Sequence, residues 1–187
     1  VFPREYAPCP HRLSGQAGGK TVVIAFERTK VRRLNRVSVT AEMPFALEII
    51  NRQRGPRFDT DFMIRLGLAA YPDCCEATLE VDAPLRTLDD VEVSILSDRR
   101  IGQVHAKFFG DPSPTDVITF HHGEIILGAG IVRENAVRFR RHPDDEAALC
   151  LVHGLLHLAG WRDDTPETAK KMADRQEQIF KSARAVV

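Results

Sequence analysis

The stretch HGLLHLAGWRDD, residues 153–164, sets two histidines four residues apart and follows them with a glycine and two aspartates. On an α-helix, positions i and i+4 share a face one turn apart, so His153 and His157 can aim their imidazoles at one point. That is the helical half of a tetrahedral zinc site. The helix runs away from such a point, so a third ligand must come from beyond it. Gly160 permits a sharp turn, and Asp163 then comes within reach, giving the spacing H-x3-H-x5-D. An open fourth position would mark a catalytic rather than a structural site. The competing reading is a pair of hydrogen-bonded core histidines. Either way the imidazoles need a partner, because a buried polar group without one is costly. The metalloprotease version of this helix carries a glutamate beside the first histidine as general base. Here that position is Gly154, which argues against peptide hydrolysis by that route and is expected to clear space beside the metal.

The pattern of elements that must position these residues is α+β: a small mixed sheet packed with helices around a central buried helix. Strands are predicted over 45–50 (FALEII), 75–81 (CEATLEV), 91–96 (VEVSIL), 117–120 (VITF) and 125–132 (IILGAGIV). Helices are predicted over FMIRLGLAAY after a cap at Asp59 or Thr60, and from Ser97 or Asp98 through DRRIGQVHAKFF. A third covers ENAVRFRRH. The fourth, capped by Asp144, carries the histidines, is apolar nearly all round and ends at Gly160. The last, PETAKKMADRQEQIFKSA, is amphipathic and expected on the outside.

At 43% hydrophobic and 28% charged residues, the 187-residue chain reads as a soluble globular domain. It has no apolar run of the length that a membrane span needs. The four cysteines, Cys9, Cys74, Cys75 and Cys150, match neither a disulfide framework nor a CxxC clip, so the expected compartment is the reducing cytoplasm. A net charge of +0 hides an asymmetry: residues 1–42 carry 8 Lys/Arg against 3 Asp/Glu, the remainder 18 against 23. The basic segment 1–42 is expected to lie outside the fold, either as an arm or leader or as a misassigned start, with residues 43–187 forming the domain.

HGLLHLAGWRDD resembles the HGxLHLxGYDH signature of the YbeY family of rRNA-maturation endoribonucleases. PTDVITF, residues 114–120, is similar to that family's PT-[DN]-VLSF segment, and Gly123-Glu124 stands where the family has GD. The resemblance spans roughly residues 43–181. It implies a zinc-dependent, single-strand-specific endoribonuclease that matures the 16S 3' end and takes part in ribosome quality control. It implies one zinc ion per chain, an rRNA precursor as substrate, and the small ribosomal subunit or its proteins as partners. By position the metal ligands are His153, His157 and Asp163, with aspartate where the family has histidine and Asp164 in reserve. A second departure is Phe109, where the family has an arginine thought to serve the phosphate. A phenyl ring cannot stabilise developing negative charge. His105, one turn earlier on the same helix face, is the expected substitute. Phe109 also motivates an alternative: a ribosome-associated assembly factor on the same metal-binding fold, with little or no nuclease activity.

Thr115 and Asp116 are expected to orient groups at the pocket rim, although a loop hydroxyl such as Thr115 also serves to cap a turn. Glu124 is either a carboxylate assisting the reaction or a solvated strand end. Arg133, Arg138, Arg140 and Arg141, with Arg52, Arg54 and Arg57, are candidates for the RNA backbone. Trp161 either stacks a base or packs on the helix end.

Overall fold

A computed structural model describes residues 45–187; the basic segment 1–42 lies outside the described residues. Alternating side chains divide the strands between two faces. Val91, Val93 and Ile95 point one way into the main core, with Ile125 and Leu127 beside them. Leu96, Ile118 and Ile126 point the other way. Strands β1 (Ala46–Asn51), β2 (Asp90–Leu96), β3 (Val117–Phe120) and β4 (Glu124–Gly128) form one sheet in the order β1-β2-β4-β3. The pairs β1–β2 and β2–β4 are parallel, and β3 runs antiparallel to β4 at the edge.

Among the described residues, five α-helices cover this sheet: α1 (Thr60–Glu76), α2 (Asp98–Phe109), α3 (Ala129–Arg138), α4 (Pro143–Leu158) and α5 (Pro166–Arg184). The fold is α+β, as expected. Helix α4 lies against the main-core face between α1, α3 and α5. Eleven of its 16 residues are buried, as its all-round apolar sequence requires. Helix α2 covers the opposite face, where Ile101 meets Leu96, Ile118 and Ile126. Helix α5 buries a stripe of Met172, Gln176, Ile179, Phe180 and Ala183 against α4 and α1. Among the described residues no helix is long and apolar enough to cross a membrane.

Three local expectations are corrected. Residues 75–81 form no strand: α1 continues through Pro72 to Glu76, and the alternation that follows has no sheet partner. Leu79 and Val81 are 61% and 93% exposed, and the Leu79 N–H is donated to the Ala159 carbonyl at the end of α4 instead. The run 125–132 splits at Gly128. There the Asp98 carboxylate accepts the Gly130 N–H at 2.8 Å, satisfying a first-turn donor and starting α3. Helix α4 is capped by His142, not Asp144, with Pro143 at its first position where a missing N–H does no harm. Asp144 instead accepts the Asp59 N–H at 2.9 Å and so ties α4 to the start of α1.

Candidate metal centre

Helix α4 ends in a tight reversal that makes the centre. The Gly160 N–H is donated to His157 O and the Trp161 N–H to Leu156 O, at 3.1 and 3.0 Å. This is the paired bonding of a Schellman turn. It requires left-handed backbone at Gly160, whose φ is +89°. The indole N–H of Trp161 then reaches the Ala77 carbonyl at 2.8 Å, so Trp161 packs on the helix end and pins the turn. The chain is carried back beside the helix it has just left.

The result is a cluster of His153, His157 and Asp163 whose ligand atoms all lie within 4.8 Å of one another. The two Nε2 atoms are 2.9 Å apart, and Asp163 Oδ2 is 3.9 Å from His153 Nε2. The outer nitrogens are both engaged. His157 Nδ1 lies 3.0 Å from the Trp161 carbonyl, which can only accept, so that nitrogen carries the hydrogen. His153 Nδ1 lies 2.7 Å from Gln176 Oε1 and donates likewise. Each imidazole therefore turns an Nε2 lone pair toward the other, and two lone pairs do not bond. A positive charge between them resolves the conflict, and Asp163 supplies an anion alongside. This donor set fits zinc: two neutral imidazoles and a carboxylate, each histidine oriented by an acceptor on its far nitrogen. Burial, and next the charge of His153, lower the pKa of His157 from 6.5 to about 4, with Asp163 opposing. His157 is therefore neutral at pH 7, the form that binds metal.

Gly154 faces the sheet. A Cβ there would stand 2.8 Å from Ile125 Cδ1 and 3.0 Å from its Cγ2. The small residue lets α4 approach β4, and the space it clears belongs to Ile125, not to a ligand on the metal. Asp164 accepts from the Thr168 hydroxyl at 3.2 Å and so turns toward the start of α5.

The other expected site residues lie elsewhere. His105 is on α2, its Nδ1 2.8 Å from the Ser113 carbonyl and its ring against Phe109. Glu124 pairs with Phe120 across β3 and β4. Phe120 packs with the α2 cluster, so strand alternation sets Glu124 on the face away from α4, with His122 Nε2 3.4 Å from its carboxylate. Thr115 and Asp116 precede β3 at its far end. Asp116 accepts from the Thr115 hydroxyl, the Val117 N–H and the Asn135 amide, which closes the loop against α3.

Arg141 is not a free cation. It pairs with Glu146 Oε2 at 3.0 Å and with Glu177, bridging α4 and α5 at 13% side-chain exposure. Arg133 donates to the Pro56 carbonyl and stacks 3.9 Å over Phe58. Arg138 and Arg140 are exposed. The sequence reasoning missed Gln176, although a polar residue four positions from both Met172 and Phe180 in an apolar stripe is a readable signal.

An α+β domain here carries two tautomer-locked histidines and a carboxylate at the end of a buried helix, a group able to hold a metal ion. Residues 68–184 match the family described as Endoribonuclease YbeY, and the chain belongs to that family. It is 34% identical over 109 residues to an Endoribonuclease YbeY of Chlamydia felis, covering 50% of this chain and 69% of the relative. For that of Thermosipho melanesiensis the figures are 34% over 114 residues, 51% and 83%. For that of Thermotoga maritima they are 32% over 102 residues, 50% and 68%. A solution structure of TM1509 from Thermotoga maritima aligns with a TM-score of 0.47 at 23% identity, over 73% of this chain and 88% of that one.

Proposed function

We propose that this protein is a zinc-dependent endoribonuclease that cuts single-stranded rRNA precursor, including the 16S 3' end, and serves ribosome quality control. The observation that carries the metal dependence is the facing pair of Nε2 lone pairs at 2.9 Å with both outer nitrogens bonded to acceptors. Zinc bound there supplies Lewis-acid polarisation and a nucleophile at neutral pH. The chain's own residues do the rest. His153, His157 and Asp163 hold the ion. Gln176 and the Trp161 carbonyl fix the ring orientations. Asp163, half exposed, leaves the open side of the centre toward solvent, where an RNA backbone can enter.

Arg138 at the end of α3 and Arg140 just after it are exposed cations available to that backbone. They precede the start of α4, about 20 Å along the helix from His157, so an RNA reaching both the metal and these arginines must span a distance of that order. Arg162, exposed next to Asp163, adds a cation there, and recruitment through the small ribosomal subunit or its proteins completes the substrate site. The free thiols of Cys74, Cys75 and Cys150 fit a reducing cytoplasm. A second reading, an assembly factor with weak or no nuclease activity, is favoured by Phe109, a 60% exposed ring where a phosphate-binding cation is expected.

Elemental analysis of the wild type beside a His153→Ala/His157→Ala variant tests the metal, and cleavage of single-stranded RNA by metal-free and zinc-loaded protein tests the reaction. Zinc in the wild type alone, with zinc-dependent cleavage, is the expected result. Zinc without cleavage favours the assembly factor. No zinc in a folded wild type, even after adding it back, rejects both.

A further inference from the structure

Phosphodiester cleavage is accelerated by a hydrogen-bond donor aimed at the phosphate in addition to a metal ion. Phe109 offers none, and the Nδ1 of His105 is engaged with Ser113 O. The short turn between β3 and β4 does offer one. Phe120 pairs with Glu124, and the Gly123 N–H closes onto the Phe120 carbonyl at 3.0 Å, so His121 and His122 form the tip. Ile118 and Phe120 pack on the α2 side, whereas Val117 packs on the α4 side. Strand alternation therefore carries Thr119, and after it His121, to the α4 side. His122 takes the opposite course, stacking on the Phe120 ring at 5.6 Å.

Beneath this turn the sheet and α4 approach closely, since Ile125 lies against the helix at Gly154, between the two candidate ligand histidines. The Thr119 hydroxyl is buried there without a hydrogen-bond partner among the described residues. His121, between Phe120 and His122, stands at the tip of this turn. It lies outside the ligand cluster, is exposed, and makes no hydrogen bond or ion pair among the described residues. Charged or neutral, its imidazole presents an N–H.

We propose that His121 contacts the substrate, its ring N–H bonding a phosphate oxygen of the RNA held at the His153–His157–Asp163 centre. This rests on the nuclease reading above. A donor that acts in the transition state is worth about 100-fold in kcat. The test measures zinc content and single-stranded RNA cleavage by the zinc-loaded full chain for the wild type, His121→Ala, His121→Phe and His121→Arg. The expected result is full zinc content in all four, kcat down about 100-fold with little change in KM for the Ala and Phe variants, and retention of most of the rate by the Arg variant, which restores a donor. Cleavage by His121→Ala or His121→Phe at the wild-type rate overturns this inference and leaves the nuclease reading standing. Loss of zinc from these variants also overturns it, because His121 would then be a ligand. A zinc-loaded wild type that leaves RNA intact overturns the nuclease reading, and this inference with it.

Discussion

Replacing Gln176 by leucine tests whether the second layer of the centre matters. Gln176 is 5% exposed, and its Oε1 accepts the His153 Nδ1 hydrogen at 2.7 Å. Leucine is of similar size and continues the apolar stripe of α5, so packing is kept while the acceptor is lost. His153 is then free to move its hydrogen to Nε2, the atom that must carry a lone pair toward the metal. Loss of such an outer partner weakens metal binding about 10- to 100-fold, which is ~1.4 to 2.7 kcal/mol. In the metal-free protein the hydrogen moved to Nε2 bonds the facing His157 Nε2 at 2.9 Å, so stability should change by less than the about 1–3 kcal/mol that an unsatisfied buried group costs. Zinc affinity is read by competition against a chromophoric chelator, and stability by urea unfolding of the metal-free form. Gln176→Glu keeps an acceptor and adds a negative charge, so it should bind zinc at least as tightly as the wild type. Affinity of Gln176→Leu within twofold of the wild type would refute the argument that Gln176 selects the tautomer.

The lowered pKa of His157, about 4 against an ordinary 6.5, makes the metal-free fold acid-sensitive. Between those values the unfolded chain binds a proton that the folded one refuses. The contribution is therefore fully present above pH 6.5 and lost as pH falls toward 4, amounting to at most about 3 kcal/mol. Urea unfolding of metal-free protein at pH 7 and pH 5 measures it, and equal stabilities would show that His157 is not held neutral by burial. Gly154→Ala sets a methyl 2.8 Å from Ile125 Cδ1, in a core where Ile125 is fully buried. Overpacking there should cost about 1–3 kcal/mol in denaturant unfolding. An unchanged midpoint would mean that the helix and sheet have room the structure does not show.

Legibility from sequence followed the physics of each segment. Strand β2 and helix α2 could be read because alternation and a Ser-Asp start coincide with their boundaries. The clustering of His153, His157 and Asp163 could be read because two of its members sit on one helix and the third follows one short turn. The false strand at 75–81 carried a genuine period-two pattern, but a strand also needs a neighbour, and Leu79 finds only the end of α4. The boundary between β4 and α3 depends on Asp98, which reaches Gly130 from another element. The same limitation applies to the β3–β4 turn. Glu124 and His121 lie three residues apart, and nothing local says which face of the sheet each serves. Tertiary placement decides that, and it turns Glu124 away from α4 and carries His121 to it.

The three candidate ligands lie between residues 153 and 163, and Gln176 follows on the next helix. A centre drawn from one helical hairpin has low contact order, so the loop entropy for bringing its donors together is small. Its assembly need not wait for the parallel strands, whose pairing is the slow, non-local part of this topology. The same contiguity bears on descent. A change of ligand type at position 163 alters the chemistry of the ion without asking the sheet, or any residue before α4, to accommodate it.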